Sequence, residues 1–203
     1  MGPFICPAVR PGRGGEVSGT MFDQNIEALR DGGLAGIPFL KNGIGQIALV
    51  VENVDEAVET YWKLFGVGPW YIYTYGKPLI KKMAYWGKPG EFKMRVALSR
   101  IGDLHIELIQ PLEGENIYTD FVEAHGYGLH HLAVMVEDVE VAIAQAQAAG
   151  LAVKQEGSGF GLDGDGHFAY LDTEDKIGMT LELLCLPKRR VQPEKIYPPP
   201  EDA

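Results

Sequence analysis

Cysteine is nearly missing from this chain: Cys6 and Cys185 are the only two in 203 residues. One falls in a loose, Pro-rich terminus and the other in an expected strand, so no disulfide framework is available and a reducing cytoplasm is the expected location. Long apolar runs are missing too. Nothing approaches the run of about 20 apolar residues that a membrane helix needs, so membrane residence is not expected. The N-terminal stretch carries Pro, Gly and Arg without an apolar centre, which is not the pattern of a secretory signal. Positive charge is in short supply: 18 Lys and Arg against 28 Asp and Glu leave a net charge of −10. Nucleic acid is thereby disfavoured as a partner, because phosphate neutralisation needs clustered cations. The local exception is Lys77, Lys81, Lys82, Lys88 and Lys93. It reads as a solvated hairpin tip, with a clamp for an anionic substrate tail as the sharper alternative.

What is present is a pattern that occurs twice. Residues 46–58, QIALVVENVDEAV, are answered by residues 131–143, HLAVMVEDVEVAI. Each copy opens on a residue able to bind metal, Gln46 or His131, and each is closed by a Glu-Leu strand, residues 106–112 with Glu107 and residues 181–187 with Glu182. A carboxylate on a largely apolar strand face is costly unless it is paired or coordinates a cation. Two of them at repeat-equivalent positions point to one metal centre shared between two modules.

Periodicity gives both modules the order βαβββ. In the first, Gln46 to Val51 reads as a strand, and Asn53 with Glu56 three residues on has the form of a reciprocally capped helix start. Val54, Ala57, Val58, Tyr61, Leu64 and Phe65 then recur at helical spacing until Gly66. Strands are expected at Trp70–Tyr75, at Phe92–Ser99 and at Asp103–Gln110, the last two forming a hairpin that turns at Ile101-Gly102, with Lys77 to Gly90 as a Pro- and Gly-punctuated connection. The second module repeats this with a strand over His130–Val136, a helix capped by Asp138, and strands at Leu151–Gln155, Gly166–Leu171 and Met179–Leu184. The expected organisation is an N-terminal extension with a short helix over 20–31 (1–43), module 1 (44–114), a linking helix (115–128), module 2 (129–187) and a solvated Pro-rich tail (188–203).

The doubled βαβββ order, the segment GLHHLA at 128–133 and the Glu-Leu closing strands resemble the vicinal oxygen chelate superfamily. That superfamily includes glyoxalase I, methylmalonyl-CoA epimerase, extradiol dioxygenases and bleomycin-resistance proteins. The resemblance covers residues 44–186 and implies an α+β fold in which two tandem βαβββ modules form a cup-shaped mixed sheet. Carried over position by position, it implies Gln46, Glu107, His131 and Glu182 as metal ligands, with His130 facing away.

Non-haem iron oxygenases rest on two histidines and one carboxylate, whereas this set has one histidine, two carboxylates and an amide, so a ring-cleaving dioxygenase is disfavoured. Hard oxygen ligands with one imidazole suit Zn²⁺, Ni²⁺, Co²⁺ or Mn²⁺, with Zn²⁺ first, although Zn²⁺ would then depart from its usual four-coordination. The ligand order is similar to that of zinc-dependent glyoxalase I; the surrounding strands are more like the epimerase branch. Where bacterial epimerases carry a second catalytic carboxylate, this chain has Met94 or Arg95.

The implied activity is proton abstraction next to a carbonyl, as in an isomerase, epimerase or lyase, with Glu182 as first choice of base and Glu107 as second. The alternative is a small-molecule-binding protein of the drug-sequestering type. His105, Tyr73 and His167 are further pocket candidates, and the glycine-rich segment from Gly157 to Gly166 is read as a lid. A small carbonyl compound is the expected partner, drawn from glutathione adducts, acyl-CoA thioesters or free hydroxy-keto compounds. A homodimer is the expected assembly.

Overall fold

The structure, a computed structural model, describes residues 38–200. The expected helix over 20–31 lies outside the described residues. After a short 3₁₀ turn at Pro38–Asn42, the chain forms β1 (Gln46–Val50), α1 (Val54–Phe65), β2 (Trp70–Tyr75), β3 (Lys82–Tyr85), β4 (Lys88–Pro89), β5 (Lys93–Ile101) and β6 (Leu104–Glu113). Then come α2 (Ile117–His125), β7 (Gly128–Met135), α3 (Val139–Ala148), β8 (Val153–Phe160), β9 (Gly166–Leu171), α4 (Glu174–Ile177), β10 (Thr180–Cys185) and β11 (Lys195–Tyr197). No helix among the described residues is long and apolar enough to cross a membrane.

All eleven strands join one mixed sheet in the order β11-β2-β5-β6-β1-β7-β10-β9-β8-β3-β4. The two modules meet along β1 and β7, which run antiparallel, while β1 pairs in parallel with β6 and β10 in parallel with β7. The sheet curls. Tyr75 on β2 and Phe160 on β8 stand seven strands apart, about 34 Å in a flat sheet at 4.8 Å per strand, yet their ring centroids are 5.6 Å apart. The two must therefore face each other across a concave surface.

The helices that follow from the repeat cover the convex side. The Asn53 side chain accepts from the backbone N–H groups of Asp55 and Glu56 and donates to the Glu56 carboxylate, a variant of the reciprocal cap in which the carboxylate returns to the side-chain amide of Asn53. At the other end Gly66 takes φ 65°, left-handed backbone that favours glycine, and its N–H reaches the Trp62 carbonyl. Helix α1 buries Val54 and Val58 against Trp70, Ile72, Ile106 and Leu108, and α3 buries Val139, Ala142 and Ala146 against Val134, Leu171 and Leu183. Leu64 and Phe65, expected on the buried stripe, are both exposed at 69%, since the last turn of α1 runs past that cluster. Helix α2 packs on the concave side, inserting Ile117 and Tyr118 among Tyr170, Ala133 and Val50.

Two segments differ from the sequence expectation. The connection from Lys77 to Gly90 contains the hairpin β3-β4, which leaves module 1 and pairs with β8 of module 2. The tail is not free in solvent either: β11 adds to the edge of β2, a position where prolines nearby do not break a ladder.

Candidate metal centre

The ladder register converts the repeat into a site. Across the four central strands, one row reads His105, Gln46, Ala133, Glu182 and the next reads Glu107, Ala48, His131, Thr180. Directly paired residues share a face, so all four expected ligands project into the cup. Ala48 and Ala133, fully buried at equivalent positions of the repeat, keep the space between the four long side chains open.

The four side chains converge. Gln46 Nε2 donates to Glu107 Oε2 at 3.0 Å and to Glu182 Oε2 at 3.3 Å. His131 Nε2 lies 3.2 Å from Glu182 Oε2 and 3.5 Å from Glu107 Oε2, but it is fully buried and makes no aligned hydrogen bond to either. Ligand atoms of Glu107, His131 and Glu182 all fall within 4.8 Å of one another. An imidazole nitrogen close to two carboxylate oxygens but aligned with neither is an arrangement a cation satisfies, because the cation would take an electron pair from all three ligand atoms at once. Two carboxylates also offset a divalent charge. In the structure the amide NH₂ of Gln46 faces the carboxylates; a cation would take the oxygen of the same amide instead. The residues present fit a divalent ion.

Electrostatics supports this. Burial pushes Glu107 above the usual carboxylate range, with the Glu182 charge adding to the shift and His131 opposing it. Burial would lower His131, but Glu182 and Glu107 hold it up, to about 9. The two carboxylates therefore favour positive charge at this point of the cup.

His130 does not face away. Ala48 pairs with His131 and Leu49 with Leu129, so His130 is the extra residue of a bulge, which turns it to the concave side as well. Its Nδ1 lies 2.9 Å from Nδ1 of His131. Burial, and then the neighbouring His131, Lys154 and His125, lower His130 to about 2. It stays neutral, accepts from His131 Nδ1–H, and leaves Nε2 of His131 to face the carboxylates. Rings of Tyr118, Phe121 and Tyr170 pack around His130, and the hydroxyls of Tyr118 and Tyr170 are hydrogen-bonded at 2.8 Å. Sequence reasoning missed this shell; the doubled histidine was the available signal, and the bulge that gives it meaning is set by pairing with β1.

Among the remaining candidates, Tyr71, Tyr73 and Tyr75 line the concave side of β2, and Tyr75 borders a cavity of about 30 Å³ that also contains Gln46, Glu107 and Glu182. Met94 borders the same cavity, whereas Arg95 points to the convex side and pairs with Asp55 at 3.0 Å. Neither supplies a second carboxylate at that position. Tyr73 and His105 border a larger outer pocket of about 470 Å³. The structure does not bring His167 to either space: alternation along β9 sends Phe168 and Tyr170 into the cup and His167 outward, where it meets Glu156 at 2.8 Å. The glycine-rich segment begins as the end of strand β8 (157–160), and the loop that follows bonds the tail instead of covering the site, through Leu162 N–H to the Arg189 carbonyl at 2.9 Å. Lys77, Lys81 and Lys82 of the lysine cluster border a separate pocket that shares no residue with these two.

Two βαβββ modules share one cup lined by carboxylates and an imidazole. The profile of the Glyoxalase/Bleomycin resistance protein/Dioxygenase superfamily matches residues 45–170, and the chain belongs to that superfamily. No curated protein matches the chain. Among solved structures, methylmalonyl-CoA epimerase from Mycobacterium tuberculosis is similar at a TM-score of 0.54 and 19% identity, covering 72% of this chain and 89% of that one. A variant of the Streptomyces coelicolor methylmalonyl-CoA epimerase in complex with 2-nitronate-propionyl-CoA gives 0.55 at 20% identity, covering 73% and 96%. A hypothetical protein from Bacillus halodurans gives 0.51 at 19%, covering 73% and 97%. At these identities the likeness establishes the fold.

Proposed function

We propose that this protein is a metal-dependent enzyme that removes a proton from the carbon next to a carbonyl, as an isomerase, epimerase or lyase. The observation that carries the reading is the buried Nε2 of His131, which lacks an aligned hydrogen bond, converging with Glu107, Glu182 and Gln46. These four residues would hold a divalent ion, Zn²⁺ first. Such an ion supplies Lewis-acid stabilisation of the charge that develops on oxygen when the neighbouring carbon loses its proton.

The chain's own residues do the rest. Glu182 takes the proton on a carboxylate oxygen and returns it, with Glu107 as the second candidate; both border the inner cavity. Tyr170 and the fully buried Tyr118 shield the His131 and Glu182 side from water. Of Met94 and Arg95, which the resemblance sets where bacterial epimerases carry a further carboxylate, Met94 borders the inner cavity and Arg95 pairs with Asp55, which favours chemistry in which the carboxylates at the metal both remove and deliver the proton.

The test is metal analysis of the purified chain, followed by reconstitution and an activity screen against methylglyoxal with glutathione and against methylmalonyl-CoA. Stoichiometric divalent metal and turnover abolished by chelation are expected. A chain that takes up no metal and whose ligand binding survives chelation would replace this reading with small-molecule sequestration.

A further inference from the structure

The outer pocket runs against the net charge of the molecule. The chain carries a net charge of −10, yet this space is bordered by Arg100, Arg190 and His105 and, among the described residues, by no acidic one. Of the four arginines among the described residues, Arg95 is paired with Asp55 and Arg189 with Asp163. The other two, Arg100 and Arg190, enter no ion pair among the described residues, and both border this one pocket. Neither guanidinium is held by a carboxylate; Arg100 donates from one nitrogen to the Asp103 carbonyl at 3.1 Å, and a planar fork with donors to spare matches an oxyanion. At about 470 Å³ the space is of ligand size, and Leu98 and Arg190 border the inner cavity as well, which places the two spaces side by side.

Arg190 is brought there by the tail, and the tail is anchored on both sides of it. Upstream, Gly161 has φ +88° and a side chain there would meet Pro187 at 2.3 Å, so the loop accepts the crossing only as glycine. Arg189 pairs with Asp163 on the same loop. Downstream, the Glu194 N–H reaches the Ile72 carbonyl at 2.9 Å, and the Glu194 carboxylate accepts from Thr74 N–H and hydroxyl at 2.9 and 3.0 Å. A segment tied at 189 and 194 holds residue 190 over the cup mouth. Its guanidinium bears on Tyr73, Tyr75, His105 and Glu107, all of them residues of the two cavities.

We propose that the outer pocket binds an oxyanion of the substrate, a carboxylate or a phosphate, through Arg190 and Arg100, while the carbonyl end of the same molecule occupies the inner cavity. The second half rests on the function proposed above; the anion site does not. The experiment is accordingly done on the full chain in excess chelator, by calorimetric titration at fixed ionic strength with glutarate and, separately, with glycerol phosphate. At least one anion is expected to bind, with R190Q and R100Q each weaker by about ten-fold or more, the scale of a charge-assisted contact. The lysine-patch variant K82Q should bind as the parent does. R190K, which keeps the charge and loses the fork, should fall between, and matching circular dichroism melts exclude misfolding. The tighter of the two anions identifies the carboxylate or phosphate source. Binding of neither anion, or R190Q binding as well as the parent, overturns the proposal; the metal and turnover measurements are independent of both outcomes.

Discussion

The two modules contribute equivalent residues to one site but surround them unequally. Module 2 supplies His131 and Glu182, with side chains 0% and 3% exposed, roofed by His130, Tyr118 and Tyr170. Module 1 supplies Gln46 and Glu107; the Glu107 side chain is 13% exposed and lies within the influence of Arg190 beside the larger pocket. Duplication therefore yields a sealed half and an open half. The sealed half is suited to hold an ion and to keep an abstracted proton from exchanging with water, and the open half is suited to admit substrate.

The largest expected effect tests that division directly. E182Q should lower kcat by about 10²–10⁴-fold, the range for loss of a general base, while E107Q should fall less steeply and show its effect more in KM. Steady-state kinetics on metal-loaded variants, with metal content measured beside them, decides it. If E107Q were the more damaging in kcat, the base would belong to the open half.

A smaller effect is expected one residue before each module's first ligand. His131 is preceded by His130, which fixes its tautomer; Gln46 is preceded by Gly45, where a side chain would meet Met135 at 2.6 Å. Only module 2 therefore has room for an orienting neighbour. H130F keeps a ring among Phe121 and Tyr118 but removes the nitrogen that accepts from His131, and metal affinity should drop by about 10–100-fold, as for other groups that orient a ligand. Competition with a chromophoric chelator measures it. Unchanged affinity would mean that packing alone sets the His131 ring.

The same comparison explains what was legible in the sequence. Gln46, Glu107, His131 and Glu182 could be read because strand alternation and the repeat act over short, regular stretches, and the ladder then aligns them in two rows. Asn53 and Asp138 cap their helices as local chemistry dictates. The misreadings are nonlocal. His130 turns inward because of a bulge defined by its pairing with β1; the Lys77–Gly90 connection becomes a hairpin because the edge of β8, in the other module, is open to it; Arg190 reaches the cup because β11 finds the edge of β2. None of these partners lies within reach of a sequence window, and a tail rich in proline offers no period to read.

On the convex side the modules differ again, and the smallest predicted effect lies there. Module 1 ties α1 to its sheet through Asp55, which meets Arg95 and Lys195. Module 2 ties β8 to β9 through Glu156 and His167. The hydrogen bond from His167 holds the Glu156 carboxyl below its ordinary value of 4.5, against the opposing effect of burial. A carboxylate with a depressed folded pKa contributes stability above its unfolded value and loses that contribution as pH falls through the folded one. The parent should therefore be more stable than H167Q at about pH 6, and the gap should close as pH is lowered through 4.5 toward about pH 3. Both side chains are partly solvated, so the difference is small, within the range of about 0–1 kcal/mol for exposed pairs. Urea midpoints of the two proteins at a series of pH values measure it. A gap that stays constant with pH would assign the His167 contribution to packing and remove the ionic tie from module 2.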